Sequence, residues 1–184
     1  MTTSYRIGVI VGSLRRDSIN GLLASAVARL GPSDFSFQPI RIDELPLYSQ
    51  DDDASPAESV VKFKAELATA QGLLIVTPEY NRSIPGVLKN ALDQGSRPYG
   101  TSAWAGKPAG ILSASPGAIG GALAQQHLRT VLAYLDVPAL AQPEAYLQVK
   151  DGFFDANGGI ANAGTHKFLQ AWMDRYTAWV RKYV

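Results

Sequence analysis

Short, nearly continuous apolar runs alternate along this chain with longer stretches of helical periodicity, and that alternation leaves few folds open. Residues 6–11 are β-branched or apolar at almost every position and stop at Gly12, the pattern of a strand buried on both faces. Residues 20–30 follow, with Leu22, Leu23, Ala26, Val27 and Leu30 at helical spacing and Gly31-Pro32 as the stop. The pairing then repeats. A strand over 36–42 precedes a helix with Ser55 as N-cap and Pro56 at the first helical position, its apolar face being Val60, Val61, Phe63, Leu67 and Ala70. A strand over 72–77 precedes a helix from Ile84-Pro85 to Gln94, ended by Gly95, and a strand over 108–113 precedes a helix over 120–135. A weaker strand over 145–149, a polar loop over 151–164 and a helix from about 163 to 183 complete the chain. Strands apolar on both sides need cover on both sides. Five of them and five helices in 184 residues predict an α/β fold: a flavodoxin-like, doubly wound sandwich with a five-stranded parallel sheet, in one domain spanning 1–184.

Composition removes several kinds of chemistry. The chain has no cysteine, which excludes disulfides, thiolate metal sites and a catalytic thiol. Seventeen basic residues against sixteen acidic ones leave no field suited to a polyanion, so no nucleic-acid partner is expected. The N-terminal segment carries one positive charge before a short apolar run, and no stretch approaches ~20 apolar residues, so the sequence reads as soluble and cytoplasmic, with no membrane partner. Asp51-Asp52-Asp53 lacks metal-ligand spacing and reads as a solvated loop before a helix N-terminus; no metal site is assigned. His127, mid-helix beside Gln125, Gln126 and Arg129, reads as a solvated or interface residue, and His166 as a surface residue in the first turn of the last helix. The series Trp172, Tyr176, Trp179, Tyr183 reads as the core stripe of an amphipathic helix.

Open parallel sheets bind ligands beyond the carboxyl ends of their strands, near the point where strand order reverses. Three loops there are unusual. The first, residues 12–20, leads from a buried strand into a helix, with Gly12 for the turn, Ser13, Ser18 and Asn20 as polar donors, and Arg15 or Arg16 as cations. Main-chain N–H groups backed by a helix dipole make this a cradle for one phosphate, although a serine-capped helix start with two exposed arginines reads equally well. Neither the triple-glycine dinucleotide spacing nor a Gly-Lys-Ser/Thr loop is present. The second loop, with Pro78, Glu79, Tyr80 and Asn81, is stiffened by proline and suits the edge of a flat polar ligand; Ser83 is available to cap the following helix. The third, with Ser115, Pro116 and Gly117, is small enough for close approach by a planar group.

Together these stretches resemble the NADPH-dependent FMN reductase family, including its chromate and quinone reductase members. The resemblance rests on Gly-Ser-Leu-Arg with Ser-x-Asn (12–20), on Thr77-Pro78-Glu79-Tyr80-Asn81 with Ser83-x-Pro85-Gly86-x-Leu88-Lys89-Asn90-Ala91-x-Asp93, and on Ser115-Pro116-Gly117, and it spans roughly residues 5–180. It implies FMN as cofactor, its phosphate on Ser13, Arg15, Ser18 and Asn20, its ring beside Pro78 to Asn81, and its ribityl chain and other ring edge near Ser115 to Gly117. It further implies NAD(P)H as co-substrate. Hydride would pass through the flavin N5 to a quinone or another small acceptor (chromate, azo compounds, free flavin) by ping-pong kinetics, with no catalytic side chain. A homodimer or homotetramer is implied too, with Tyr48, Tyr99, Trp104 and the helix face after Lys89 as contact candidates. Two positions depart from the family pattern: Gln94, where a tryptophan is common, and Arg82, both expected near the substrate opening. A flavodoxin-type electron carrier and a flavin-dependent regulatory module are the alternatives. The near-neutral charge and the arginine-bearing first loop speak against the carrier.

Overall fold

The computed structural model describes residues 4–184, so residues 1–3 of the N-terminal segment lie outside the described residues. Strands β1 (Tyr5–Val11), β2 (Phe35–Pro39), β3 (Gly72–Thr77), β4 (Ala109–Ser115) and β5 (Tyr146–Gln148) pair in parallel throughout, in the order β2-β1-β3-β4-β5. The helices are α1 (Ile19–Ala28), α2 (Glu58–Thr69), α3 (Gly86–Ser96), α4 (Ala122–Tyr134) and α5 (Ala163–Tyr183), and a 3-10 turn at Gln50–Asp52 interrupts the β2–α2 connection. The flavodoxin-like, doubly wound α/β architecture is what the chain adopts, and its strand order reverses between β1 and β3.

Every residue of β3 is buried, and its side chains serve two cores in alternation. Leu74 and Val76 pack with Ile7, Val9 and Leu112 under α1 and α5. Leu73 and Ile75 pack with Ile10 and Ile111 under α2, α3 and α4. Each large side chain buried this way contributes about 1.5–3 kcal/mol, which is why the strands carry apolar residues at successive positions.

Several boundaries move, each for a packing reason. β2 ends at Pro39; Ile40 and Ile42 are buried in the α2-side core as part of a loop, Ile40 filling the space over Gly8. α2 begins at Glu58 with Ala57 at its N-cap, while the Ser55 N–H bonds the Asp52 carbonyl, so Ser55 belongs to the preceding turn and is not the cap. Val61, expected inside, is exposed. Gly95 lies within α3 and does not end it: a Cβ there would stand 2.4 Å from Trp104 Nε1. Trp104 is fully buried and donates to the Leu92 carbonyl at 3.0 Å, so it is core and no contact residue. Trp172 and Tyr176 stack 5.4 Å apart over Gly110, but Trp179 is half-buried and Tyr183 exposed, so the stripe on α5 is core only in its first half. Among the described residues no helix is long and apolar enough to cross a membrane, and no group of three or more His, Asp or Glu side chains could hold a metal ion.

Candidate functional site

The loops after β1, β3 and β4 meet at one sheet edge because specific polar groups tie them together. Gly12 continues the β1–β3 pairing past the strand end, its N–H donating to the Val76 carbonyl at 2.9 Å. A Cβ on Gly12 would stand 2.6 Å from Thr77 Oγ1, so glycine is required here for close approach of the two strand ends. Ser18 caps α1, its Oγ accepting from the Gly21 N–H at 3.2 Å. Asn20 is buried and fully engaged: its Nδ2 donates to the Ala114 carbonyl and its Oδ1 accepts from the Ala114 N–H, both at 3.0 Å. The β3–β4 ladder ends at the Thr77–Ser113 pair, and Pro78 beyond it has no N–H. The Asn20 carboxamide therefore takes the place of a strand peptide opposite Ala114.

The β3–α3 loop is a tight, strained hairpin. Tyr80 and Ser83 exchange both main-chain hydrogen bonds at 3.0 Å, and Asn81 (φ 50°) and Arg82 (φ 66°) between them form a type I′ turn. Asparagine accepts the left-handed region; arginine there costs about 1–2 kcal/mol. Two side chains clamp this hairpin to α4. Glu79, with a side chain only 11% exposed, accepts through Oε2 from the N–H groups of Leu123 (2.9 Å) and Ala124 (3.1 Å). These are first-turn donors of a helix whose own N-cap, Gly121, has no side chain to offer. Ser83 Oγ and His127 Nδ1 pair at 2.9 Å one turn further along α4. Ser83 therefore does not cap α3, where Pro85 is the N-cap, and His127 gains a place in the site that its sequence context did not signal.

The β4–α4 loop turns on two glycines that the fold requires. Gly120 (φ 63°) would place a Cβ 2.6 Å from the Tyr146 carbonyl carbon, and Gly121 (φ 87°) one 2.7 Å from Ser113 Cβ. Ser113 Oγ donates to the Gly120 carbonyl at 2.7 Å and accepts from Gln125 Nε2 at 2.9 Å, which also donates to the Ala145 carbonyl. Gly117 differs. Its φ is not positive, and only Ser115 Oγ, at 3.5 Å, lies near its would-be Cβ, so neither strain nor packing demands glycine there.

Of the predicted residues, Ser18, Asn20 and Glu79 thus have their side chains committed to the scaffold, while Arg15, Tyr80 and Asn81 are exposed and Ser13, Pro78 and Ser115 half-buried along the same edge. The donor set of the β1–α1 loop suits a phosphate. Among the described residues, the N–H groups of Ser13, Leu14, Arg16 and Asp17 find no acceptor, and neither Arg15 nor Arg16 forms an ion pair. Exposed apolar side chains on all three loops (Leu14, Tyr80, Ile119) and the bare backbone at Gly117 suit a planar body beyond that phosphate. In donor chemistry this combination suits FMN, a phosphate joined to a planar ring. Gln94, by contrast, serves the scaffold: with Asn90 it donates to the Pro46 carbonyl, at 2.9 and 2.8 Å, holding the β2–α2 connection across α3.

Residues 5–151 match a protein family described as NADPH-dependent FMN reductase. The chain is 58% identical over 178 residues to a 2-hydroxy-1,4-benzoquinone reductase of a Burkholderia species, covering 97% of each chain. It is 47% identical over 182 residues to a quinone reductase of Pseudomonas putida, covering 98% of this chain and 97% of that one. Among solved structures it resembles a flavoenzyme NAD(P)H:(acceptor) oxidoreductase from Paracoccus denitrificans, with TM-score 0.93, 40% identity and coverage of 97% and 98%.

Proposed function

The chain belongs to the NADPH-dependent FMN reductase family, and on that premise we propose that it uses NAD(P)H to reduce quinones, hydroxylated benzoquinones among them, at an FMN held on the sheet edge just described. The observation that carries the reading is the 58% identity, across 97% of both chains, to a protein named 2-hydroxy-1,4-benzoquinone reductase.

When bound, FMN supplies the chemistry, taking a hydride from the nicotinamide and giving two electrons to the acceptor. The net reaction is quinone + NAD(P)H + H⁺ → hydroquinone + NAD(P)⁺. What the chain supplies is grip and orientation. The free N–H groups of Ser13, Leu14, Arg16 and Asp17, the Ser13 hydroxyl and the Arg15 and Arg16 guanidinium groups receive the phosphate, with the α1 N-terminus behind them. Ser18 and Asn20 hold that loop in shape from inside. The backbone from Pro78 to Asn81 lies along the ring edge, kept there by the Glu79 and Ser83 clamps on α4, and Gly117 leaves room for the ribityl chain.

Nicotinamide and acceptor use one open face in turn, which gives ping-pong kinetics and admits chromate, azo compounds and free flavin as further acceptors. The enzyme works as a soluble, cytoplasmic homodimer or homotetramer, with exposed Tyr99 and half-buried Tyr48 at the contact. The test is to load the purified protein with FMN and supply NADPH or NADH with 2-hydroxy-1,4-benzoquinone. Many turnovers per protein, with parallel double-reciprocal lines, are expected. Failure to retain FMN, or one reduction without turnover, would overturn the reading, the latter in favour of an electron carrier.

A further inference from the structure

Arg82 occupies a turn position that its side chain does not favour. It is the second central residue of the type I′ hairpin, where glycine or asparagine meets the backbone requirement without strain, yet it holds φ 66° at the edge that carries the proposed quinone site. Strained non-glycine residues of this kind persist where function retains them.

Its charge is paired only loosely, by an ion contact that is not a hydrogen bond. Glu79 Oε1 is the carboxylate in reach, at 3.5 Å, well beyond a charge-assisted hydrogen bond, and the Arg82 side chain is 64% exposed. Nor does Glu79 depend on Arg82 for compensation, because its other oxygen already takes two N–H groups from the α4 N-terminus. Among the described residues no acceptor takes a hydrogen bond from the guanidinium, so its donors are open at the exposed tip of the hairpin.

The acceptor class proposed above supplies a matching anion. The hydroxyl of a 2-hydroxy-1,4-quinone is conjugated through the ring to a carbonyl, so it is a vinylogous carboxylic acid and is ionised at neutral pH. Its negative charge is shared between oxygens in one plane, a target suited to the planar guanidinium fork. An unsubstituted quinone offers only neutral carbonyls.

We propose that Arg82 is a specificity-determining residue, which receives the anionic oxygen of hydroxylated quinones and selects them over uncharged ones. This rests on the reading of the chain as a quinone reductase.

The test compares the FMN-loaded wild type with Arg82→Gly and Arg82→Asn, both suited to the turn, and with Arg82→Lys, which keeps the charge without the fork. The acceptors are 2-hydroxy-1,4-benzoquinone and 1,4-benzoquinone. The ratio of their kcat/KM values is expected to fall about ten-fold in the Gly and Asn variants and to recover in part in the Lys variant. Raising salt, or lowering pH until the hydroxyquinone is protonated, should erode the wild-type ratio and leave the Gly and Asn variants flat. Without nicotinamide, calorimetric titration of the oxidised proteins should show the Kd for the hydroxyquinone rising by about the same factor in Arg82→Gly. An unchanged ratio, an equal loss for both quinones, or a rise confined to the KM for NADPH would each overturn the assignment. A wild type that reduces neither quinone would remove the quinone-reductase reading itself, and this inference with it.

Discussion

Glu79, two residues beyond β3, caps α4 through Leu123: its Oε2 accepts that residue's N–H at 2.9 Å across 44 positions of chain. One carboxylate thereby fixes the spacing between the loop that flanks the ligand ring and the helix that follows the third loop. Gly121 at the N-cap makes this borrowed cap necessary, since it brings no side chain to the first turn.

Removing that carboxylate should loosen both elements together. Glu79→Ala leaves two first-turn N–H groups of α4 without their acceptor and is expected to lower stability by about 1–2 kcal/mol, read as a fall of several degrees in Tm. Glu79→Gln keeps an acceptor and gives up the charge, so a smaller loss of about 0.3–1 kcal/mol is expected. Equal Tm values for wild type and Glu79→Ala would refute the trans-cap.

Asn20 tests the join between the first loop and β4. Asn20→Ala strands the buried N–H and carbonyl of Ala114 and is expected to cost about 2–4 kcal/mol. Asn20→Asp sets a carboxylate against the Ala114 carbonyl and should not rescue the loss. Denaturant unfolding of the two variants without cofactor separates this structural role from any direct contact with FMN.

Glycines at 117 and 120 should respond in opposite ways. Gly120→Ala forces a Cβ to within 2.6 Å of the Tyr146 carbonyl carbon at positive φ and is expected to cost about 3 kcal/mol or more. Gly117→Ala meets no such obstacle, so stability should hold or rise by about 0.4–1 kcal/mol. Its methyl group would occupy the space reserved for the ligand, and FMN affinity should drop by about ten-fold or more, an effect of 1.4 kcal/mol per decade. Unchanged FMN affinity in Gly117→Ala would count against placing the cofactor over that backbone.

The phosphate cradle is best probed without disturbing the α1 cap. Ser18→Ala would remove that cap, at about 1 kcal/mol, and confound the result. Arg15→Ala with Arg16→Ala removes only unpaired surface cations. The double variant should lose FMN affinity by at least about ten-fold and riboflavin affinity far less, because riboflavin has no phosphate to lose. Parallel losses for both flavins, measured by fluorescence titration, would move the phosphate elsewhere.

Periodicity and strand hydrophobicity alone were enough to foretell the five parallel strands, the five helices, the doubly wound class and the edge at which the three loops gather. Those signals are local: a strand covered on both faces must be apolar at successive positions, whichever helices cover it. What only the tertiary structure decided was the use of individual side chains. Asn20 became a substitute strand peptide because β3 turns away at Pro78, Glu79 a cap for a distant helix, His127 a clamp on the hairpin, and Gly95 a seat for Trp104. Each of these assignments depends on which backbone groups lack a partner once the layers are packed, and that is a property of chain segments far apart in sequence.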